Sequence, residues 1–195
     1  MEKTFWIAAN GGKVEEVKSI LRKNPSLNVN WKNDENDART ALYAASRYGH
    51  DSVVSILLAH PDIDPNLKEK DGYTPFLWAS WLGNTSCVRL LLQDLRISVN
   101  EPDNDERTPL RQAAYYGHLD IIKWWIASKR EMDLGTPGDR KTDAIQMAKG
   151  RGKTEVVTLL ERFKKDACKT RVRVRLELGI NGKSPYSPFI FHSDH

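Results

Sequence analysis

The chain has 195 residues, of which 29 % are charged and 9 % aromatic, so it is too apolar for a disordered protein. It contains no apolar run of about 18 residues, and the sequence therefore predicts no membrane span. Cys87 and Cys168 do not make a disulfide framework, and the first residues have no apolar core of secretory length. We therefore expect a reduced, intracellular protein, most simply a cytoplasmic one.

A repeating frame organises residues 1–163. Thr40, Thr74 and Thr108 are 34 residues apart, and Gly49, Gly83 and Gly117 keep the same spacing. Weaker copies of the frame occur at 8–13 and 143–153. The sequence thus predicts repeats at about 1–33, 37–70, 71–104, 105–138 and 139–163, with the first and last copies serving as polar caps.

Each unit follows the same order of local signals. The threonine can cap a helix through its hydroxyl, and proline follows at the first helical position in Thr74-Pro75 and Thr108-Pro109. Asp143 replaces the threonine in the last copy. A glycine ends the first helix, an apolar second helix follows, and an extended piece closes most units on asparagine. The pattern predicts a turn followed by two antiparallel helices.

The unit resembles the ankyrin repeat through Thr-Pro-Leu, Ala-Ala and Gly-His in residues 108–118, a Val-Val-x-x-Leu-Leu helix and a closing Val-Asn. A tetratricopeptide array also repeats every 34 residues but lacks these features. The resemblance implies an all-α ankyrin repeat solenoid of helix-turn-helix units with β-turn fingers, followed by a short basic C-terminal tail. This chain departs from the family pattern where Tyr43, Leu77 and Arg111 replace a histidine, and where Glu106 replaces the fingertip glycine.

The resemblance also implies a binding surface, because family members direct certain variable positions toward the concave side. These are the two residues before the helix-ending glycine and the residue before the capping threonine. Arg111, which replaces the histidine of the family pattern, is included with them. They are rich in Tyr, Trp and Arg, which are common in binding hot spots. Carried over to this chain, the predicted partner-binding residues are Arg39, Arg47, Tyr48, Tyr73, Trp81, Leu82, Arg107, Arg111, Tyr115, Tyr116 and Arg151. The alternative is that some of these rings pack sideways against the next repeat.

The sequence also predicts roles for the fingertip residues and for two tryptophans of a second helix. The fingertips, around residues 34–37, 68–71, 103–106 and 139–141, are mostly acidic and form a second candidate surface, unless they are simply solvated loops. Trp124 and Trp125 lie on a second helix at positions occupied by leucine in another copy. We therefore expect them to pack between repeats.

No catalytic pattern was found. Residues 150–154 end like a phosphate loop, but Met147 stands where its first glycine is needed, and the repeat frame already explains Gly152-Lys153. His50 and His118 share one frame position, which favours a structural role. The sequence therefore predicts no enzyme, metal site or cofactor, but a monomeric module that binds a protein partner whose identity it does not reveal.

The tail, residues 164–195, holds seven Lys or Arg and three acidic residues and so carries the whole net charge of +4. Residues 171–178 alternate in polarity as a strand does, although Arg171 and Arg175 are also four residues apart, as in a capping helix. Asn181-Gly182 predicts a turn, and residues 188–191 could dock on the last repeat. An alternative function is therefore an adaptor whose tail contacts nucleic acid or an anionic membrane.

Overall fold

The computed structural model describes residues 1–180, which contain eleven α-helices and one short 3-10 turn, Asp34–Asn36. The predicted turn at 181–182 and the docking of 188–191 lie outside the described residues. The helices are α1 (Glu2–Asn10), α2 (Val14–Lys23), α3 (Ala41–Arg47), α4 (Asp51–Leu58), α5 (Pro75–Leu82), α6 (Thr85–Gln93), α7 (Pro109–Tyr116), α8 (Leu119–Ser128), α9 (Ala144–Gly150), α10 (Thr154–Lys165) and α11 (Ala167–Glu177).

The first ten helices form five pairs, as the repeat frame predicts. The first helices of the pairs, α1, α3, α5, α7 and α9, pack against one another in one row, and the second helices α2, α4, α6 and α8 pack in a parallel row. Within residues 1–180, each pair packs mainly against its neighbours, which is the arrangement of a solenoid. The predicted all-α repeat stack is therefore confirmed.

Side-chain caps fix where the first helices begin. The hydroxyl oxygens of Thr40, Thr74 and Thr108 each accept a hydrogen bond from the backbone N–H three residues later, and Asp143 does the same in the last repeat. Each bond satisfies an N–H group that has no partner within the helix. The predicted caps, including the substitution by Asp143, are confirmed.

The core lies between the two helix rows and continues from repeat to repeat. Trp125 on α8 is fully buried, and its ring meets Phe76 on α5 edge to face, with 5.0 Å between the centroids. Its indole N–H donates to the backbone oxygen of Glu131. The prediction is confirmed for Trp125. Trp124 is half-buried and also packs between repeats, against the core and under Arg89 of the preceding repeat.

Polar side chains also join neighbouring repeats. Asn30 and Asn66 use both ends of their amides, each donating to a backbone oxygen and accepting from a backbone N–H about one repeat later. His50 lies 3.0 Å through Nε2 from the backbone oxygen of Asn10 in the first repeat. Because these bonds recur at equivalent positions, they hold successive units in a fixed orientation.

The basic segment after α10 forms a helix and not a strand. Helix α11 begins at Asp166, whose carboxylate accepts a hydrogen bond from the N–H of Lys169, and it packs against α8 and α10. Within α11, Val174 is buried, whereas Val172 is 57 % exposed. The strand interpretation of residues 171–178 is therefore wrong and the capping-helix alternative is right, because the buried residues recur at four-residue spacing, Thr170 and Val174.

Candidate functional site: an aromatic and arginine strip

The predicted partner-binding residues lie on the first helices and finger turns of repeats two to five. The residues directly before the helix-ending glycines are the most open: Tyr48 is 52 % exposed, Leu82 46 % and Tyr116 43 %. Large apolar side chains with this exposure lie at the same frame position in three consecutive repeats. These three side chains are therefore available for contact with another molecule.

One position earlier in the frame, the side chains are half-buried. The ring of Trp81 lies 4.7 Å from that of Trp78 and 5.3 Å from that of Tyr73, and it stacks on Tyr116 of the next repeat at 6.1 Å. Tyr115 contacts Tyr116 edge to face at 4.9 Å. Each of these rings is therefore supported by neighbours while part of it remains accessible.

Tyr73, which precedes a capping threonine, is not open to solvent. It is only 7 % exposed, and its hydroxyl oxygen accepts a hydrogen bond from Nη2 of Arg107 at 2.5 Å. Burial raises the pKa of the Tyr73 phenol. The alternative of sideways packing therefore describes this residue, which supports the strip from below.

Two aromatic residues outside the predicted set complete the cluster. Tyr43 is buried and stacks on Trp78 at 6.1 Å, and Trp78 also contacts Tyr73 at 4.6 Å. The indole nitrogen of Trp78 is buried and has no hydrogen-bond partner in the described part of the chain, residues 1–180. A sequence signal for Trp78 existed, because it lies three residues before Trp81 and thus on the same side of α5.

Arginine side chains stack on these rings along the whole row. Arg47 lies 5.0 Å from the centre of Trp78, Arg107 lies 5.7 Å from that of Trp81, and Arg151 lies 4.1 Å from that of Tyr115. The contacts run without a break from repeat two to repeat five. We call this surface the aromatic–arginine strip and define it as Arg39, Tyr43, Arg47, Tyr48, Tyr73, Trp78, Trp81, Leu82, Arg107, Arg111, Tyr115, Tyr116 and Arg151.

The five arginines of the strip differ in their acidic partners. Arg39 pairs with Asp37 at 2.8 Å, and Arg107 pairs with Asp103 at 2.7 Å and Asp105 at 2.8 Å. The remaining three, Arg47, Arg111 and Arg151, have no carboxylate within 4.0 Å among residues 1–180. The strip therefore carries positive charge that the described part of the chain does not neutralise locally.

The fingertip acids divide into structural and exposed groups. Glu69 and Asp103 are buried, and each accepts hydrogen bonds from two backbone N–H groups of its own turn. Burial raises the pKa of Glu69. Glu106 adopts a positive φ of 66° where the family pattern has glycine, and its carboxylate pairs with Lys141 of the next finger at 2.7 Å.

The arginines of the basic tail are bound within the chain. Nε of Arg171 donates to the backbone oxygen of Ile126 at 3.0 Å, and Nη1 of Arg175 donates to that of Ala127 at 3.1 Å. These oxygens belong to the last turn of α8, where a cation is favourable. Arg173, on the other side of α11, pairs with Glu177. The arrangement gives the tail a role in closing the stack and does not favour it as a polyanion site.

Neither a metal centre nor a membrane span is found within the described residues. Residues 1–180 contain no group of three or more His, Cys, Asp or Glu that could hold a metal ion. None of their helices combines the length and apolarity needed to cross a bilayer. A groove of about 280 Å³ lies away from the strip, between α8, α10 and α11, and is lined largely by polar and charged side chains.

Comparison with known protein families agrees with this geometry. The family described as "Ankyrin repeats (3 copies)" matches residues 2–69 and 61–136, and hence more than half of the chain. A search of curated proteins gave no significant match. The matched segments include the helix pairs of repeats one to four, whose caps, glycine bends and asparagine bonds recur in the structure. The chain therefore belongs to the ankyrin repeat family.

Proposed function

We propose that the chain is a non-enzymatic protein-binding module whose partner lies along the aromatic–arginine strip and the adjacent fingers. Ankyrin repeats are in general protein–protein interaction modules. The observation that carries the proposal is the row of exposed Tyr48, Leu82 and Tyr116 above a continuous layer of packed rings. Exposed apolar side chains that line up in this way mark interaction sites in soluble proteins.

The packing beneath the row makes the surface rigid before binding. Trp81 is held by Trp78, Tyr73 and Tyr116, and Arg107 is fixed by its bonds to Asp103 and Tyr73. Side chains that are already ordered lose little conformational entropy when a partner binds. Aromatic and arginine anchors in such settings contribute most of the binding energy in many interfaces.

The proposal is tested by replacing the three open side chains together. The variant Tyr48→Ala/Leu82→Ala/Tyr116→Ala removes exposed apolar area, including the Tyr116 ring that stacks on Trp81, and keeps the Tyr73 and Trp78 rings that also pack against Trp81. A matched control is Leu95→Ala/Val172→Ala, since Leu95 is 76 % and Val172 57 % exposed and neither belongs to the strip. Both proteins should keep the helical circular dichroism of the unchanged chain.

Affinity capture from an extract of the source cells, followed by mass spectrometry, gives the readout. We expect proteins that are captured by the unchanged chain and by the control to be lost with the triple variant. If the triple variant captures the same proteins in the same amounts, the strip is not the binding surface.

A further inference from the structure

We propose that the segment bound by the aromatic–arginine strip is an extended acidic peptide whose Asp or Glu carboxylates meet Arg47, Arg111 and Arg151. This inference rests on the proposed protein-binding function and adds the chemistry of the partner. It follows from the difference among the arginines of the strip. Two of them are neutralised by fingertip acids, and the other three have no acidic partner among residues 1–180.

The C-terminal end of the strip is the clearest anion site. The ring of Tyr115 contacts two guanidinium groups, that of Arg111 at 5.1 Å and that of Arg151 at 4.1 Å. Arg111 donates through Nε to the oxygen of Arg140 and through Nη1 to the side-chain oxygen of Gln112. Neither of these acceptors carries charge, and Arg151 is exposed. Arg111 uses Nε and one N–H of Nη1 in these bonds, and its remaining N–H groups can donate to a carboxylate, as can those of the stacked Arg151.

Electrostatics at this end favour an incoming anion. Burial and the positive charge of Arg107 lower the pKa of Arg111 from its ordinary value, with a smaller contribution from Arg151, and they outweigh the opposing effects of Asp103 and Tyr116. The guanidinium groups therefore repel one another in the unbound chain. A carboxylate placed between Arg111 and Arg151 would offset that repulsion and form charge-assisted hydrogen bonds at the same time.

The rest of the strip specifies an extended segment with apolar residues between its acids. Arg47 lies at the other end, stacked on Trp78 at 5.0 Å and Tyr48 at 5.5 Å. Between the two cationic ends, repeat three presents the open side chain of Leu82 beside the ring of Trp81. We therefore expect acids near both ends of the bound peptide and an aliphatic or aromatic residue in its middle.

The exposed acids of the fingers favour a peptide over a nucleic acid or a membrane. Asp37, Asp71, Asp105 and Glu106 are exposed, and two of them pair with strip arginines at the edge of the strip. A continuous phosphate backbone or an anionic bilayer would bring many negative charges close to them, which is unfavourable. A short peptide with a few carboxylates can reach the three arginines without that cost.

The test is selection of peptides from a random 12-residue library on the full chain. We expect Asp and Glu to be enriched over the unselected library, with an apolar residue between them. A selected peptide should bind at least about tenfold more weakly to Arg47→Gln/Arg111→Gln/Arg151→Gln, as expected when charge-assisted hydrogen bonds are lost. Arg151→Gln alone, which changes an exposed side chain, should weaken binding in the same direction and guards against misfolding of the triple variant.

The matched control is Arg22→Gln/Lys23→Gln/Arg162→Gln, which removes the same charge from exposed side chains outside the strip. It should bind the selected peptide as the unchanged chain does. Equal weakening by the control would show a general charge effect and overturn the proposal. So would binding of a 20-nucleotide single-stranded DNA as tightly as the peptide with the same dependence on the three arginines.

The two proposals fail in different ways. Selected peptides without acidic residues, whose binding is lost in Tyr48→Ala/Leu82→Ala/Tyr116→Ala, would overturn the acidic preference and leave the protein-binding function standing. No enrichment of any peptide on the unchanged chain, together with unchanged protein capture by that triple variant, would overturn both.

Discussion

His118 closes over the end of the preceding repeat, with its Nε2 lying 2.8 Å from the backbone oxygen of Trp81. The same imidazole occupies the space next to Gly83, where a β-carbon would lie 2.7 Å from its Cε1 atom. His118, at the start of α8, thus joins repeat four to both the Gly83 bend and the Trp81 carbonyl of repeat three. The backbone of Trp81 is therefore joined to the next repeat through a histidine that packs against the glycine two residues later.

Gly83→Ala should destabilise the chain more than Gly152→Ala. Both glycines have a positive φ, 83° and 65°, so both alanines meet the cost of about 1–2 kcal/mol for an L-residue in the left-handed region. Of the two, only Gly83 has atoms of the described residues within 4 Å of the added carbon, and these atoms belong to His118 of the next repeat. Urea unfolding followed by circular dichroism should show the larger loss for Gly83→Ala, and equal losses would contradict the role given to His118.

Stability should depend on the protonation of Glu69. Burial raises the pKa of this carboxyl above its ordinary value of 4.5, so the folded chain holds the proton at a pH where the unfolded chain has lost it. The free energy of unfolding should therefore fall, relative to that of Glu69→Gln, as the pH rises from about 4 through the raised pKa, and then level off. Urea titrations of both proteins across this range check the sign. A difference that stays constant or grows with pH would show that desolvation does not dominate at Glu69.

The two cysteines should react at very different rates. Cys87 on α6 is fully buried, and burial raises the pKa of its thiol to about 12, whereas Cys168 on α11 is exposed. At neutral pH, a disulfide reagent should therefore modify one thiol per folded chain quickly and the second only after denaturation. Mass spectrometry of the digested protein should locate the fast adduct on Cys168. Fast modification of Cys87 would mean that α6 opens readily.

Loss of the α11 contacts should loosen the end of the stack. Arg171→Met/Arg175→Met removes the bonds to the last carbonyls of α8 and keeps the aliphatic length, and we expect a loss of about 1 kcal/mol for each residue. Arg173→Met, which breaks only an exposed ion pair with Glu177, should cost less than about 0.5 kcal/mol. Hydrogen exchange in α8 provides a second readout, because the double variant should expose its last turn. Equal effects of the single and double variants would contradict the capping role.

The repeat frame could be predicted from sequence because its signals are local. A threonine or aspartate accepts a bond from an N–H three residues away, and a glycine provides a positive φ within the same turn. Thr74 and Gly83 therefore mark the ends of α5 without reference to any other repeat. The family resemblance, applied to the same frame, predicts that Tyr48, Leu82 and Tyr116 face the concave side together with the residues before them.

Contacts between repeats determine side-chain burial that the repeat frame does not predict. The sequence pattern predicts that both Tyr73 and Trp81 face the concave side, but Tyr73 is covered by its neighbours and Trp81 keeps part of its ring open. The arginines of the strip also differ in their contacts. Arg107 forms an ion pair with Asp103, whereas Arg151 stacks on the ring of Tyr115 and has no acidic partner among residues 1–180. The ion pair of Arg107 with Asp103 forms within one finger, whereas the contacts of Tyr73 with Arg107 and of Tyr115 with Arg151 join residues about one repeat apart. Spacing within a unit does not determine the contacts between repeats.

The basic tail also separates what the sequence determines from what depends on packing. Alternating residues 171–178 fit a strand by period and a helix by the spacing of Arg171 and Arg175, and the sequence by itself left both open. The backbone oxygens of Ile126 and Ala127 at the end of α8 favour the helix. In a helix, Arg171 and Arg175 lie on the same side and donate to these two oxygens together. Sequence thus determined the repeating unit and its caps through local hydrogen bonding. Burial, charge pairing and the structure of the terminal segment were decided by neighbours that only the packed stack brings into contact.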